Sequence, residues 1–497
     1  MKPQKIDLQL LVYWIKPLTL SLKEGKMKST KKMFLMLIVF LCLCLFGLPQ
    51  AMAGMGAFDV NKMSDMSDFD PNNPIIPTGD TIKIAVVCSF SGPAAAVGEN
   101  YWACANFAAH DINKRGGILV DGKKKKIQLI KANHMSKPAQ TKKICERMVL
   151  QEKVHVLWGT NGSNNMKVIN QVAKKYKVIA QDFIALSDEL YDATNFTRYS
   201  FMTIPSCEVV GRALAYYYGQ IRKKEKKFYI LCQDYLFGHS LAKGFKRALP
   251  EYYPEAQLVG EDYHKLFMKD FAPYLEKIKA SGAEVIYTGD WIPDAENLLV
   301  QARQMGINIP IANLFLDDPK MLHRVGVEGT KNLHHFGQLG TAEGVAFPTP
   351  EQAKYYKAWN DQYPKWKAPY DSITYKNGLL GSMGSYVQQF YWLTSVIERA
   401  GSTDPEKIIN VWEGDTYRDV NNRIYYMRPC DHKVIADYFI EIYDTPEKQK
   451  GVFNIPPYYF FKGSCNPSKT IRIPAGKILS PMDTNLERCK GKDLWGN

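Results

Sequence analysis

Apolar runs of strand length alternate with amphipathic stretches of helical spacing through most of the chain. Residues 83–88 are the first such run, and 97–115 the first helix, closed by Gly116-Gly117 as a C-cap. Further strands read at 127–130, 154–158 and 178–180, with helices over 139–151 and 164–175 between them. Short apolar strands separated by helices make a parallel sheet covered on both faces, so this stretch is one α/β lobe.

The pattern then restarts. Helices over 207–222, 240–249, 269–280 and 295–305 alternate with strands at 228–232, 257–260, 284–287 and 309–311, a second α/β lobe of similar size. The two halves share architecture without a near-identical repeat. From about Leu333 the chain turns aromatic-rich and less regular, with one long helix over 384–400, and the tail beyond about Ser464 is expected to wrap the outside. A length of 497 residues fits two to three domains, and 46% hydrophobic with 23% charged residues is a globular composition.

The N-terminus adds an export signal. Residues 27–32 are a basic leader, 33–48 a run of sixteen without a charge, and Ala51-Met52-Ala53 a small-x-small site, so cleavage near Ala53 and a mature chain from Gly54 are expected. The translation start, Met1 or Met27, stays open. A membrane anchor needs about twenty apolar residues, and no Cys follows the small residues to carry a lipid. Residues 54–79, with Asp65, Asp68, Asp70 and three prolines, read as an extended arm.

Loss of residues 1–53 removes eight Lys and two acidic residues and takes the net charge from +14 to +8. That charge is spread thinly. Its densest block, 123–126, follows Asp121-Gly122 and reads as a solvated hairpin turn. A nucleic-acid surface would cluster its charge among aromatics, so no nucleic-acid partner is expected.

Of the ten cysteines, Cys42 and Cys44 lie in the leader; Cys88, Cys145 and Cys232 sit in apolar patterns and are expected as buried thiols. Cys430, Cys465 and Cys489 lie in polar, turn-rich sequence, where a bridge among the three is expected, Cys465 pairing with Cys430 or Cys489. With no CxxC and no close Cys/His doublets, neither a metal nor a cofactor is expected. His334-His335 and Asp431-His432 are adjacent pairs whose side chains point to opposite faces of a strand, which suits packing rather than ligation.

In a doubly wound sheet, ligands bind where strands end and helices begin. Three loops there have suitable chemistry: 89–93, 159–164 and 181–187. Taken singly, each is explained by helix capping. Together at one edge, their N–H groups and Ser and Asn side chains favour a site for a carboxylate or carbonyl oxygen. Gly238-His239-Ser240-Leu241-Ala242 looks like a hydrolase nucleophile elbow, but five residues separate strand 228–232 from it, which puts Ser240 inside a helix start; catalysis is not expected.

The order of these motifs resembles the periplasmic branched-chain amino acid binding proteins over roughly residues 80–440. Ser91-Gly92-Pro93, Gly98, Asp111-Ile112-Asn113 and Arg115-Gly116-Gly117-Ile118 are similar to that family's opening. Asp234 with Phe237-Gly238, and Gln301-Ala302-Arg303-Gln304-Met305-Gly306, resemble its second lobe. The resemblance implies a type I binding fold, two α/β lobes joined by three crossover strands, crossing near Phe201, Leu333 and Tyr438. Lobe 1 would comprise 80–203 plus 333–433, lobe 2 204–332 plus 434–463, with 464–497 as a tail. It also implies a periplasmic receptor, a monomer, that hands a small molecule to an ABC permease with ATPase subunits. A sensor of the same fold would continue into a signalling module, and nothing after Ser464 reads as one.

By the same resemblance, Ser163 in the loop Asn161-Gly162-Ser163-Asn164 takes the place of the serine that holds the ligand carboxylate. Ile184 and Leu186, after Asp182 and Phe183, replace the usual Ala and Thr; Val97 replaces a tyrosine; Ser136 and Gly162 stand where better-known members carry a disulfide. Trp291 falls at an aromatic position of lobe 2, and Asp317 near the amine-binding acid. Phe90, Trp102, Phe183, Phe237 and Trp291 are candidate walls for an apolar or cationic body, and Asp182, Asp290 and Asp317 candidates to answer an amine. The expected ligand has one polar head and a hydrophobic or aromatic remainder, with branched-chain amino acids first.

Overall fold

The computed structural model describes residues 55–291, 293–316, 325–326, 328–337, 354–355, 357–358, 361, 380–444 and 468–497. The leader and its cleavage site, Asp317 and Cys465 lie outside these residues. The chain divides into Met1–Met55 and Gly56–Asn497, and every element below belongs to the second unit.

The arm opens with strand β1 (Gly56–Ala57) and then buries Val60, Met63, Met66 and Phe69. Lobe 1 follows as β2 (Ile82–Cys88), α1 (Ala95–Lys114), the hairpin β3 (Ile118–Val120) and β4 (Lys123–Lys125), and β5 (Ile127–Asn133). Next come α2 (Pro138–Leu150), β6 (Val156–Gly159), α3 (Ser163–Tyr176), β7 (Ile179–Asp182) and β8 (Ser200–Met202). The five long strands form a parallel sheet in the order β5-β2-β6-β7-β8. Burial follows position in that sheet. Central β2 is buried on both faces, whereas edge strand β5 alternates buried with partly exposed residues. Each fully buried Ile or Val of β2 contributes about 1.5–3 kcal/mol relative to exposure.

Lobe 2 runs α4 (Cys207–Tyr216), β9 (Lys227–Gln233), α5 (Leu236–Tyr252), β10 (Gln257–His264), α6 (Ala272–Ala280), β11 (Val285–Tyr287), α7 (Asp294–Gln304), β12 (Ile311–Asn313) and β13 (Leu333–Gly337). The predicted helix over 207–222 is α-helical only to Tyr216 and continues as a π-helical turn, Tyr217–Arg222. The strand predicted at 257–260 runs four residues further, with a register shift between Leu258 and Gly260.

The rest of the chain is α8 (Leu380–Ala400), α9 (Pro405–Trp412), β14 (Thr416–Arg418), β15 (Ile424–Met427), β16 (Val434–Ile435), β17 (Tyr438–Ile442) and β18 (Lys469–Ile473). The second sheet has the order β10-β9-β11-β12-β13-β17-β18, parallel through β13 and antiparallel beyond. Leu333–Gly337, allotted by sequence to lobe 1, therefore runs in the larger sheet, and the tail supplies an edge strand rather than only a wrapping. The arm is also more than extended chain, since β1 pairs with β14 in a small sheet with β15 and β16.

The two lobes use one packing device. A Cβ on Gly98 of α1 would stand 1.9 Å from the Ser89 carbonyl oxygen, and one on Gly238 of α5 would stand 1.9 Å from that of Gln233. Each glycine lets a helix start rest directly on the end of the strand before it.

The tail is fastened by Cys430–Cys489, which corrects the expected pairing through Cys465. The Arg428 guanidinium, fully buried, donates to Asp431, to Ser480 and to the Leu494 carbonyl, so the polar tail is held by one charged side chain as well as by the bridge. Cys88, Cys145 and Cys232 are buried free thiols, as are Cys104 and Cys207. Among the described residues, no helix is long and apolar enough to cross a membrane.

Candidate functional site

The carboxyl ends of β2, β5 and β6 are drawn together by side chains. The Asn161 Oδ1 accepts the Ser89 N–H at 3.0 Å, and Asn133 Oδ1 accepts that of Phe90 at 3.0 Å. His134 Nδ1 accepts the Ser136 N–H at 3.0 Å, so its hydrogen sits on Nε2, which donates to Thr160 Oγ1 at 2.6 Å. Ser136 Oγ lies 2.6 Å from Ser89 Oγ. Burial pushes the His134 pKa down to about 4, so the imidazole is neutral at pH 7. Hydrogen bonds thus tie this edge together.

Ser163 is the first residue of α3, after Gly162 at φ +89°. It is 1% exposed, and among the described residues no group bonds its Oγ. A buried hydroxyl without a partner costs about 1–3 kcal/mol, and here it stands at the positive end of a helix dipole, whose first N–H groups are unpaired within the helix. Asn164, next to it, is exposed. An anionic oxygen placed there answers both needs.

The neighbouring loop is braced by its own first carboxylate. Asp182 Oδ1 accepts the N–H groups of Ile184 and Ala185, and burial raises its pKa well above the usual carboxylate value. Phe183 is fully buried and stacks on Trp158 at 3.9 Å between ring centroids, with Tyr101 edge-on, so it is core. Ile184 and Leu186 are buried. Phe90 and Trp102 meet edge to face at 6.4 Å beneath the Lys131 ammonium, which lies about 5 Å from each ring centroid.

On lobe 2 the ends of β9, β10 and β11 converge. Trp291 Nε1 donates to the Tyr235 hydroxyl at 3.0 Å and its ring meets Phe267 edge-on, while Phe237 is buried against Tyr235 and Phe315. Asp290 faces His264, Nε2 to Oδ2 2.7 Å, with both side chains fully buried. His264 Nδ1 lies 3.0 Å from the Lys265 carbonyl, which only accepts, so the ring carries a hydrogen there too. Asp294 accepts from Gln233 Nε2 and the Phe267 N–H, and burial raises its pKa to about 6. His134, Tyr235, His264 and Asp294 were missed by sequence reasoning. His264 ends a strand that the apolar pattern closes at Gly260, and its polar run, Glu261-Asp262-Tyr263, hid it.

The other candidates are accounted for elsewhere. Ser240 is 2% exposed and its Oγ accepts the Asp188 N–H, while neighbouring His239 pairs with Asp234 on the surface. His334 and His335 point to opposite sides of β13, to Tyr218 and Asn313 respectively. Asp431 is held by Arg428 and His432 by Glu413. Among the described residues, Cys430, Asp431 and Cys489 are the group whose donor atoms come close enough for a metal, and their two sulfurs are bonded to each other. A cavity of about 150 Å³ under the arm is lined by Asp111 and Arg115, which pair with each other.

A family model described as periplasmic binding protein matches residues 81–444. An amino acid binding protein of Pseudomonas aeruginosa is 29% identical over 231 residues, 46% of this chain and 58% of the relative, so less than two thirds of that relative is spanned. A leucine-, isoleucine-, valine-, threonine- and alanine-binding protein of the same organism is 25% identical over 71% of this chain and 88% of its own. Among solved structures, a Brucella ovis protein of that last description, in a closed conformation, superimposes with a TM-score of 0.66 at 19% identity, covering 81% of this chain and 98% of the other. With two α/β lobes whose strand ends hold the candidate site, and a family model spanning both, the chain belongs to the periplasmic binding protein family, as a solute-binding protein and not an enzyme.

Proposed function

We propose that the protein captures a small carboxylate-bearing ligand between its lobes by hinge closure and delivers it, as a monomer, to an ABC permease driven by ATPase subunits. The mature chain starts near Gly54. The observation that carries this reading is Ser163, a buried hydroxyl without a protein partner at the N-terminus of α3. Asn161 shapes its loop, Asn164 flanks it, and Phe90, Trp102, Phe237 and Trp291 offer apolar surface for the rest of the ligand. In the absence of a ligand nothing offsets the cost of that hydroxyl, so closure is favoured by what the ligand supplies. Branched-chain amino acids stand first.

A second reading, an aromatic carboxylate without an amine, draws on Asp182 and Asp290. Asp182 Oδ1 is engaged by its own loop's N–H groups, and burial holds that carboxyl toward its neutral form, while Asp290 Oδ2 is engaged by His264; each keeps one oxygen without a partner among the described residues, but neither offers an ammonium group an uncommitted carboxylate. A structural neighbour from R. palustris, with a TM-score of 0.61 at 18% identity over 80% of this chain and 98% of the other, holds 4-hydroxybenzoate. A thermal-shift screen of amino acids, aromatic acids, amides and amines decides between the two, since a ligand at a hundred times its Kd adds about 2.7 kcal/mol of stability. Calorimetry with Ser163→Ala and Trp291→Ala then tests the site: unchanged affinity in both variants rejects it.

A further inference from the structure

Ser240 sits in a sequence that imitates a nucleophile elbow, yet its surroundings give it different work. Its Oγ accepts the backbone N–H of Asp188, 3.1 Å away. Asp188 belongs to lobe 1, six residues beyond β7, and Ser240 to α5 of lobe 2, so this bond joins the lobes. The same two residues of lobe 1 and lobe 2 have company. The Leu186 carbonyl accepts the Cys207 N–H at 2.7 Å, and Asp188 Oδ2 accepts that of Glu208 at 2.8 Å, capping the start of α4. Lys433 Nζ lies 2.8 Å from Asp188 Oδ1, and Lys433 is itself bridged to Met202 at the end of β8, where the chain leaves lobe 1. On the rim, Lys243 of α5 reaches Glu189 at 3.5 Å.

We propose that Ser240, Asp188 and Lys433 form a latch across the hinge that sets how firmly the lobes close, with Ser240 and Lys433 as positioning residues for ligand capture. The inference rests on the hinge-closure reading above. Asp188 is the shared element. Its backbone holds lobe 2 through Ser240, one carboxylate oxygen holds lobe 2 through α4, and the other holds the crossover through Lys433. Burial alone would raise the Asp188 pKa, and Lys433 holds it below its ordinary value, so the carboxylate stays charged in the joined state. Lobes that separate must return the Asp188 N–H and the Ser240 hydroxyl to water and lose this convergence. The segment also continues directly from Ile184 and Leu186 of the candidate site. The latch therefore adds to the affinity for any ligand without touching it, and does not choose among ligands.

In a Cys465→Ser background, spin labels at Lys142→Cys on α2 and Glu276→Cys on α6, both exposed, read the distance between the lobes, and the five free cysteines of the described residues are buried away from the label. In the ligand-free protein, Ser240→Ala and Lys433→Met lengthen that distance, and Ser240→Thr, which keeps the acceptor, restores it. For leucine or 4-hydroxybenzoate, whichever probe binds, each latch variant weakens affinity about fivefold, as expected for one hydrogen bond, with the preference between probes unchanged. If urea below the unfolding transition or either probe moves the wild-type distance while neither latch variant does, the latch is wrong and the hinge stands. A distance that none of these conditions moves overturns both.

Discussion

His264 donates to Asp290 at 2.7 Å inside lobe 2, a pair with both side chains fully buried and no solvent to screen it. Burial opposes the imidazolium, and the hydrogen bond and charge of Asp290 outweigh it, so the His264 pKa lies above 6.5. The folded protein then binds this proton more tightly than the unfolded chain. The stability it contributes is complete below pH 6.5 and is lost as pH rises through the raised value. Denaturant unfolding from pH 6 to pH 9 is expected to show that decline, and His264→Gln to flatten it. An unchanged slope in the variant would mean that the pair is not charged.

His134 predicts the opposite slope on the acid side. Its pKa falls to about 4 by burial, so the unfolded chain takes up the proton first as pH drops. Stability is expected to fall from pH 6.5 to about pH 4, with His334, pushed down to about 3, adding to the loss at the lower end. His134→Gln removes part of this slope. Unfolding curves in that window check it.

Ser163→Ala should separate binding from stability. Removing a buried hydroxyl that has no protein partner leaves the ligand-free protein within about 1 kcal/mol of the wild type, or slightly more stable. Ligand affinity falls in the same variant. A large loss of stability without ligand would show that the hydroxyl is bonded in the folded state.

Phe183→Ala should do the reverse. Its ring lies between Trp158 and Tyr101 and is fully buried, so truncation leaves a cavity that costs about 3–5 kcal/mol. Chemical denaturation measures it. A cost under about 1 kcal/mol would place this ring in an open cleft instead.

Cys430→Ser is expected to lower stability by about 2–4 kcal/mol, since the bridge closes a separation of 59 residues. Peptide mapping without reductant should recover Cys430 joined to Cys489. Recovery of Cys465 joined to either would reverse the assignment.

What the chain reveals in advance depends on how local the cause is. The β2 run and the C-cap at Gly116-Gly117 are local facts of apolar period and backbone room, and they were legible; Gly98 was marked only by the resemblance. Polar edge segments were not legible. The polar end of β10 and all of β18, Lys-Thr-Ile-Arg-Ile, pair through backbone on one side only and so lack the continuous apolar run of a buried strand. In the site, Ser163 was legible because its loop and its helix are adjacent in sequence. The engagement of Asp290 by His264, 26 residues away, and of Ser240 by Asp188, 52 away, depends on how the strands and lobes come together. No spacing in the chain announces either.

The disulfide near the C-terminus has a mechanical consequence. A pull applied at Asn497 meets the Leu494–Arg428 contact first and then, at Cys489, passes through the sulfur bridge to Cys430, ahead of β16 and β17. Strand β18 lies inside the closed loop and bears none of that load, although it sits at the edge of its sheet. Once the bridge is reduced, the same pull loads the Arg428 contacts to Ser480 and Leu494 and then β18, and the 59-residue separation that the bridge had shielded amounts to about 200 Å of extended chain. The oxidised protein therefore takes tension on its hinge-side strands, and the reduced one on its tail and then on the edge strand β18.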